Sequence, residues 1–216
     1  MGYPDFRVDY VDFRMIQLVP LIFLYIIIAF LIHLKKPTSI FQHIINLSFF
    51  VYIILVLGKT LFPLPVSEYY INLNIEQDTV ARHNFIPFTD IYNIINSGMS
   101  NVIITQIGGN LLLMMPLGFY APFLSKKFKN LKSVFFLGLI ASLCIEAAQL
   151  IISLIIGMTY RSFVFDDLIL NILGTIIGFI IIKLISPILV KIIDNSYFKN
   201  NQSKWILYLR RLNIWN

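Results

Sequence analysis

Five apolar stretches, each near the length that crosses a bilayer, leave this chain little choice of fold. They run over residues 16–34, 40–62, 101–124, 131–156 and 167–190, and a spanning helix takes roughly 20 mostly apolar residues. Lys35, Lys36 and Pro37 stop the first, and Pro63 and Pro65 stop the second, because proline has no N–H with which to continue a helix. The third is the least regular: Gln106, Gly108, Gly109 and Asn110 interrupt it, and Pro116 is expected to kink it. The chain is 58% hydrophobic and 13% charged, with mean hydropathy +0.80, whereas a soluble domain carries about a quarter charged residues. The pattern predicts an all-α, polytopic membrane helical bundle of about five transmembrane helices, with a long outward loop between the second and third.

Basic residues fall in three places: Lys35 and Lys36; Lys126, Lys127, Lys129 and Lys132; and Lys191 onward through Lys199, Lys204, Arg210 and Arg211. Five spans put all three on one side, and the positive-inside rule makes that side the cytoplasm. The expected protein is thus multi-pass in the cell membrane, with its N-terminus outside and its C-terminus inside. Residues 1–15 form an outward segment, 16–190 the transmembrane domain and 191–216 a cytoplasmic tail. In that tail Trp205, Tyr208 and Trp215 accompany the cations, as in an interfacial anchor on anionic lipid. The net charge of +6 is not a nucleic-acid footprint, because no basic cluster is interleaved with exposed aromatics. The single Cys144 excludes an internal disulfide. No basic, cleavable leader opens the chain. The segment 64–100 is long for a connection, and "FTDIYNIINSGMS" within it reads as a short amphipathic helix at the interface, capped by Thr89 or Asp90.

Polar side chains inside the spans are the next constraint. A carboxylate there costs about 2.5–3.5 kcal/mol on insertion scales, so it faces protein or a water-filled cavity rather than lipid. Glu146 and Gln149 are three apart and share one helix face. At 1.5 Å per residue Glu146 sits roughly 15 Å, and Asn110 roughly 13 Å, below the outer ends of their helices. Asp167, Asn171, Gly174 and Gly178 follow at steps of four, three and four, so they form one stripe. The small-xxx-small pair in that stripe allows close packing, with the fourth span as the natural neighbour. Arg161 is placed to lean back on Asp166, Asp167 or Glu146. The expectation is a polar cluster, open to the outside, among the third, fourth and fifth spans.

Plainer readings stand beside this one. Asp166 and Asp167 lie where a helix start favours an anion. Asn110 and Gln149 fit interhelical hydrogen bonding, worth ~0.6 kcal/mol on average. His83 beside Arg82 reads as a solvated loop histidine, and Gly108–Gly109 as a packing allowance or a local break. A capping role does not account for Glu146. HExxH, Gly-x-Ser-x-Gly, Walker and paired CxxC signatures are all absent. No metal and no cofactor are expected: Asp166 and Asp167 diverge on a helix start and make a poor cation site.

Five segments in order, "KTLFP" (59–63), "RHNFIPF" (82–88), "GGNLLLMMPLGFYAPFL" (108–124), "SLCIEAAQL" (142–150) and "RSFVFDDLILNILGTIIGF" (161–179), resemble the VanZ-like membrane proteins. The family pattern carries an acidic or polar residue near position 164, where this chain has Val164. The resemblance implies low-level resistance to teicoplanin, a lipoglycopeptide. It also marks Arg82, Asn110, Glu146, Gln149, Arg161, Asp167 and Asn171 as motif positions; with Asp166 these are the candidate ligand-binding residues. The reading that follows is a binding protein holding a membrane lipid or lipid-tailed glycopeptide, its head against Glu146, Arg161 and Asp167. The alternative is a membrane enzyme acting on a lipid head group or lipid-linked phosphate, with Glu146 as acid/base and Arg161 as phosphate clamp. A small permease ranks lower, since no inverted repeat is visible. The oligomeric state is not legible.

Overall fold

A computed structural model describes residues 10–14, 17–35, 39–195 and 206; most of the expected outward segment 1–15 and most of the expected tail 191–216 lie outside them. The order is β1 (Tyr10–Val11), α1 (Leu18–Lys35), α2 (Ile40–Leu61), β2 (Leu64–Pro65), α3 (Glu68–Glu76) and α4 (Thr89–Asn96). There follow α5 (Ser100–Val102), a π-helical segment (Ile103–Gly108), α6 (Gly109–Leu124), a 3-10 turn (Lys126–Lys129), α7 (Leu131–Ile156) and α8 (Phe165–Asn195). Among the described residues four helices are long and apolar enough to cross a membrane: Ile40–Leu61, Ser100–Leu124, Leu131–Ile156 and Phe165–Ile192. The first expected span is the shorter apolar helix Leu18–Leu34.

Local chemistry sets the ends. The Ser39 side chain accepts the Gln42 N–H to start α2 (3.2 Å), and Asn130 accepts the Ser133 N–H to start α7 (2.8 Å). Gly157, at φ 78°, ends α7 in the left-handed conformation that glycine adopts without a Cβ clash. The irregular third span is one continuous helix, Ser100–Leu124, with a six-residue π-segment, Ile103–Gly108, near its start. A Cβ on Gly108 or Gly109 would meet nothing within 4 Å, so these glycines mark the break and not a packing contact. The long loop holds two helices. The second, α4, was expected, but α3, started by Ser67 on the Tyr70 N–H (3.3 Å), was hidden by its mixed polarity.

The core is a layer of three helices with α8 in the middle. Thr175, Phe179 and Ile182 on α8 are fully buried, and Phe179 and Ile182 pack with Ala121 and Phe123 of α6 and Val134 of α7. A second cluster joins Val56 of α2 to Met114 and Leu117 of α6 and Ile145 of α7. The α8 stripe divides: its glycines, Gly174 and Gly178, face α6, not α7 as sequence adjacency suggested, while Asn171 meets α7 and Asp167 lies between the two. A Cβ on Gly174 would overlap the Leu111 carbonyl, one on Gly178 the Met115 carbonyl, and one on Gly118 the Thr175 carbonyl. Backbones this close require glycine on both partners. The opposite face of α8 meets α7 in an antiparallel ladder. Thr175 sits 3.0 Å from where a Gly138 Cβ would stand, Asn171 Nδ2 donates to Ser142 Oγ at 2.9 Å, and Asp167 lies within electrostatic reach of Glu146.

These contacts predict a split between glycines. Gly118→Ala or Gly178→Ala should force α6 and α8 apart at a cost of ~1–3 kcal/mol, read as a lower thermal midpoint of the detergent-purified protein. Gly109→Ala should leave that midpoint in place; equal effects at all three would show that the helices do not pack as described.

Candidate functional site

The polar motif residues do two separate jobs, and the first is closing helix ends. The last carbonyls of a helix have no intrahelical partner, and Pro63 denies α2 a glycine cap. Three side chains from α7 and the loop after it supply donors instead. Gln149 Nε2 donates to the Thr60 carbonyl (2.8 Å), the Tyr160 hydroxyl to Leu61 (3.3 Å), and Arg161 Nη2 to Lys59 (3.3 Å) and, more closely, to Phe62. Burial raises the Tyr160 phenol above its ordinary pKa, against a smaller lowering by Arg161, so it stays a neutral donor. The Arg161 charge also suits the negative end of the α2 dipole.

A second cap acts at the start of α4. Phe88 precedes that helix with φ 65° and offers no side-chain cap. Asp166, only 2% exposed, accepts the N–H groups of Phe88 (2.5 Å) and Ile91 (2.9 Å) through its two oxygens. Neither Thr89 nor Asp90 caps α4, as the sequence suggested; Asp90 instead accepts from Asn84 Nδ2 (2.7 Å). The flanking segments are tied backbone to backbone, with Asn84 N–H donating to Phe163 and Phe165 N–H to Asn84 (2.8 and 3.0 Å). Val164 contributes its backbone to this bridge, which an apolar residue serves as well as a polar one. His83 is more than a solvated histidine: its Nδ1 accepts the Phe163 N–H (2.9 Å), which fixes the neutral ring's proton on Nε2.

The remaining residues line or back two cavities. One, of about 350 Å³, has three aspartates, Asp90, Asp166 and Asp167, beside Thr105, Gln106 and Asn110. The π-segment brings Thr105 and Gln106 to it, and such segments recur at functional sites. Asn110 Nδ2 donates to Asp167 Oδ1 (2.5 Å). Among the described residues no group of acidic, histidine or cysteine side chains converges as a metal site. The other cavity, about 600 Å³, is a groove between α2 and α6 with Lys59, Arg161 and Asp12 at one end and Leu55, Leu112 and Pro116 along its wall.

Glu146 lines neither cavity. It is 4% exposed, its neighbours are the Val164 backbone and Asp167, and Oε2 has no hydrogen-bond partner. Arg161 turns its Nη2 to α2 and, among the described residues, forms no ion pair with Glu146, Asp166 or Asp167. The expected single cluster is therefore divided: Asn110, Asp166 and Asp167 on the acidic cavity, Arg161 on the groove, and Gln149, Glu146 and Asn171 inside the packing. Arg82 stands apart, paired at 2.5 Å with Asp78 on the surface, the two side chains 78% and 71% exposed; such pairs contribute ~0–1 kcal/mol. Because Glu146 and Arg161 share no cavity here, the acid/base-and-clamp arrangement is not assembled.

Sequence reasoning passed over Ser142, Ser153, Tyr160 and Asn84. Ser142, Glu146, Gln149 and Ser153 are all buried and follow at four, three and four, the spacing that picked out the α8 stripe. The same test on the fourth span exposes them. Tyr160 and Asn84 act from loops, where periodicity gives no signal.

The arrangement defines a polytopic helical membrane protein whose motif residues tie helix ends together beside two cavities, one acidic and one a largely apolar groove. Residues 49–186, well over half of the chain, match the family model described as VanZ/LLP1, and the chain belongs to that family. No curated protein and no solved structure matches it.

The Asp166 cap carries a local prediction. Asp166→Ala should remove ~1–2 kcal/mol of cap stabilisation and accelerate hydrogen exchange at the Phe88 and Ile91 amides, while amides in α7 keep their protection. Unchanged exchange at those two amides would show that the cap is not made.

Proposed function

We propose that the protein binds an anionic amphiphile in the groove between α2 and α6. The observation that carries this is the distribution of chemistry along one 600 Å³ space: Lys59 and Arg161, which outnumber the carboxylate of Asp12, at one end, then Tyr52, Leu55, Leu112 and Pro116. An acidic head group gains charge-assisted hydrogen bonds from the cations, and an acyl or prenyl tail lies along the apolar wall. Arg161 Nε and Nη1 donate to nothing among the described residues, so they remain for a ligand. The head group therefore rests on Lys59 and Arg161, not on Glu146 and Asp167. Pocket volumes of ≈ 300–1,000 Å³ are usual for small ligands.

The topology belongs to the same reading. Five spans, with α1 as the first, put the three basic clusters on the cytoplasmic side and the groove mouth, the long loop and the acidic cavity at the outer leaflet of the cell membrane. Exposed Phe85, Phe88, Tyr92 and Ile95 around α4 suit burial in that leaflet's interface. A membrane lipid and a lipid-tailed glycopeptide share the chemistry this groove receives, so resistance to teicoplanin follows from capture of its tail.

Native mass spectrometry of the protein in mixed phosphatidylglycerol–phosphatidylcholine should retain phosphatidylglycerol preferentially. Lys59→Gln should weaken that retention roughly tenfold, the worth of one hydrogen bond to a charged group. No preference between the two lipids would overturn the reading. In cells, protection should extend to a glycopeptide with a lipid tail and not to one without; equal protection against both counts against tail capture.

A further inference from the structure

Across Pro63 from the groove lies a third cavity, of about 310 Å³. Pro63 is part of both linings, and the consecutive residues Tyr160 and Arg161 divide between them. The two spaces differ in chemistry. Where the groove has two cations, the carboxylate of Asp12 and hydrocarbon, this cavity has three tyrosines, Tyr10 from β1, Tyr70 from α3 and Tyr160 from the loop after α7, together with Asn74 and Thr79. Among the described residues no charged side chain lines it. Burial raises the Tyr160 phenol above its ordinary pKa, and its hydroxyl already serves Leu61. Asn74 and Thr79 are bonded to each other, Thr79 Oγ1 donating to Asn74 Oδ1 at 2.8 Å, which stiffens that wall. The hydroxyls of Tyr10 and Tyr70 bond to no described residue.

We propose that this cavity is a sugar subsite, and that the amphiphile in the groove is a glycosylated lipid whose phosphate joins tail to sugar. The inference rests on the amphiphile reading above and names its head group. A sugar ring has an apolar C–H face and a hydroxyl rim, and tyrosine offers the matching pair, a flat apolar face and one polar tip. Neutral walls fit a neutral head group, since a charged one would lose its hydration here without a partner. A peptide or amine head group would call for a carboxylate, and none lines this cavity among the described residues. The order of chemistry along the two spaces is apolar wall, cations, then tyrosines, and it matches the order tail, phosphate, sugar.

The test compares two lipids with the same tails and the same single charge, dioleoyl phosphatidylglucose and dioleoyl phosphatidylglycerol. Binding to the full chain is measured in phosphatidylcholine nanodiscs. The sugar-bearing lipid should bind up to about tenfold more tightly, the gain from an aromatic contact. Tyr70→Leu and Tyr10→Ala should each reduce that gain several-fold and leave phosphatidylglycerol affinity unchanged. Equal affinity for the two lipids overturns the sugar subsite and leaves the groove standing, whereas failure of either lipid to bind overturns both. If Tyr70→Leu also loses phosphatidylglycerol, the exposed Tyr10 decides: a preference that survives Tyr10→Ala overturns the assignment.

Discussion

Every helix brings unpaired backbone carbonyls to its C-terminal end, and near hydrocarbon no bulk water is there to take them. At the end of α2 the four carbonyls from Lys59 to Phe62 are answered one by one, by Arg161, Gln149 and Tyr160. Because these donors come from α7 and the loop beyond it, closing α2 also fixes where α7 stands and how the chain turns into α8. Asp166 does the converse at the start of α4, offering an acceptor to N–H groups from a segment far away in sequence. The caps are thus tertiary contacts, and they hold the mouth of the bundle in one arrangement.

Below the mouth, packing replaces hydrogen bonding. In lipid there is no hydrophobic drive to bring helices together, so close van der Waals approach takes its place. Glycines on both α6 and α8 let carbonyls reach the facing backbone. On the other side of α8, each step of four along α7 from Gly138 through Ser142 to Glu146 is met by a step of four back along α8, from Thr175 through Asn171 to Asp167. The two faces have opposite chemistry: backbone contact toward α6 and a polar ladder toward α7. Glu146 and Asn171 keep unpartnered buried oxygens in that ladder, the least settled part of the core.

Family motifs in such a protein need not mark a single pocket. Gln149 and Asp166 make hydrogen bonds that cap helices, and Arg161 both bonds α2 carbonyls through Nη2 and lines the groove. The groove and the smaller cavity beside it are framed in part by residues the polar-residue search did not rank, Lys59 in the first and three tyrosines in the second, because neither a cation at a helix end nor an aromatic side chain violates any expectation of a membrane chain.

The sequence by itself determined the solvent and the class of fold: long apolar runs and sparse charge force helices, and proline, glycine and small polar caps set where most of them stop. It also singled out Glu146, Asn110, Asp167 and Asn171 as residues that must face protein, and all four are found against neighbouring helices or a cavity. Only the tertiary structure decided which helix each one meets. Spacing shows which side chains share a face but not what lies opposite, so the glycine stripe was assigned to the adjacent helix in sequence when it meets α6. Arg161 was paired with carboxylates when its donors go to carbonyls, groups identical at every residue and invisible in a sequence until the chain folds and shows which ones are left without a partner.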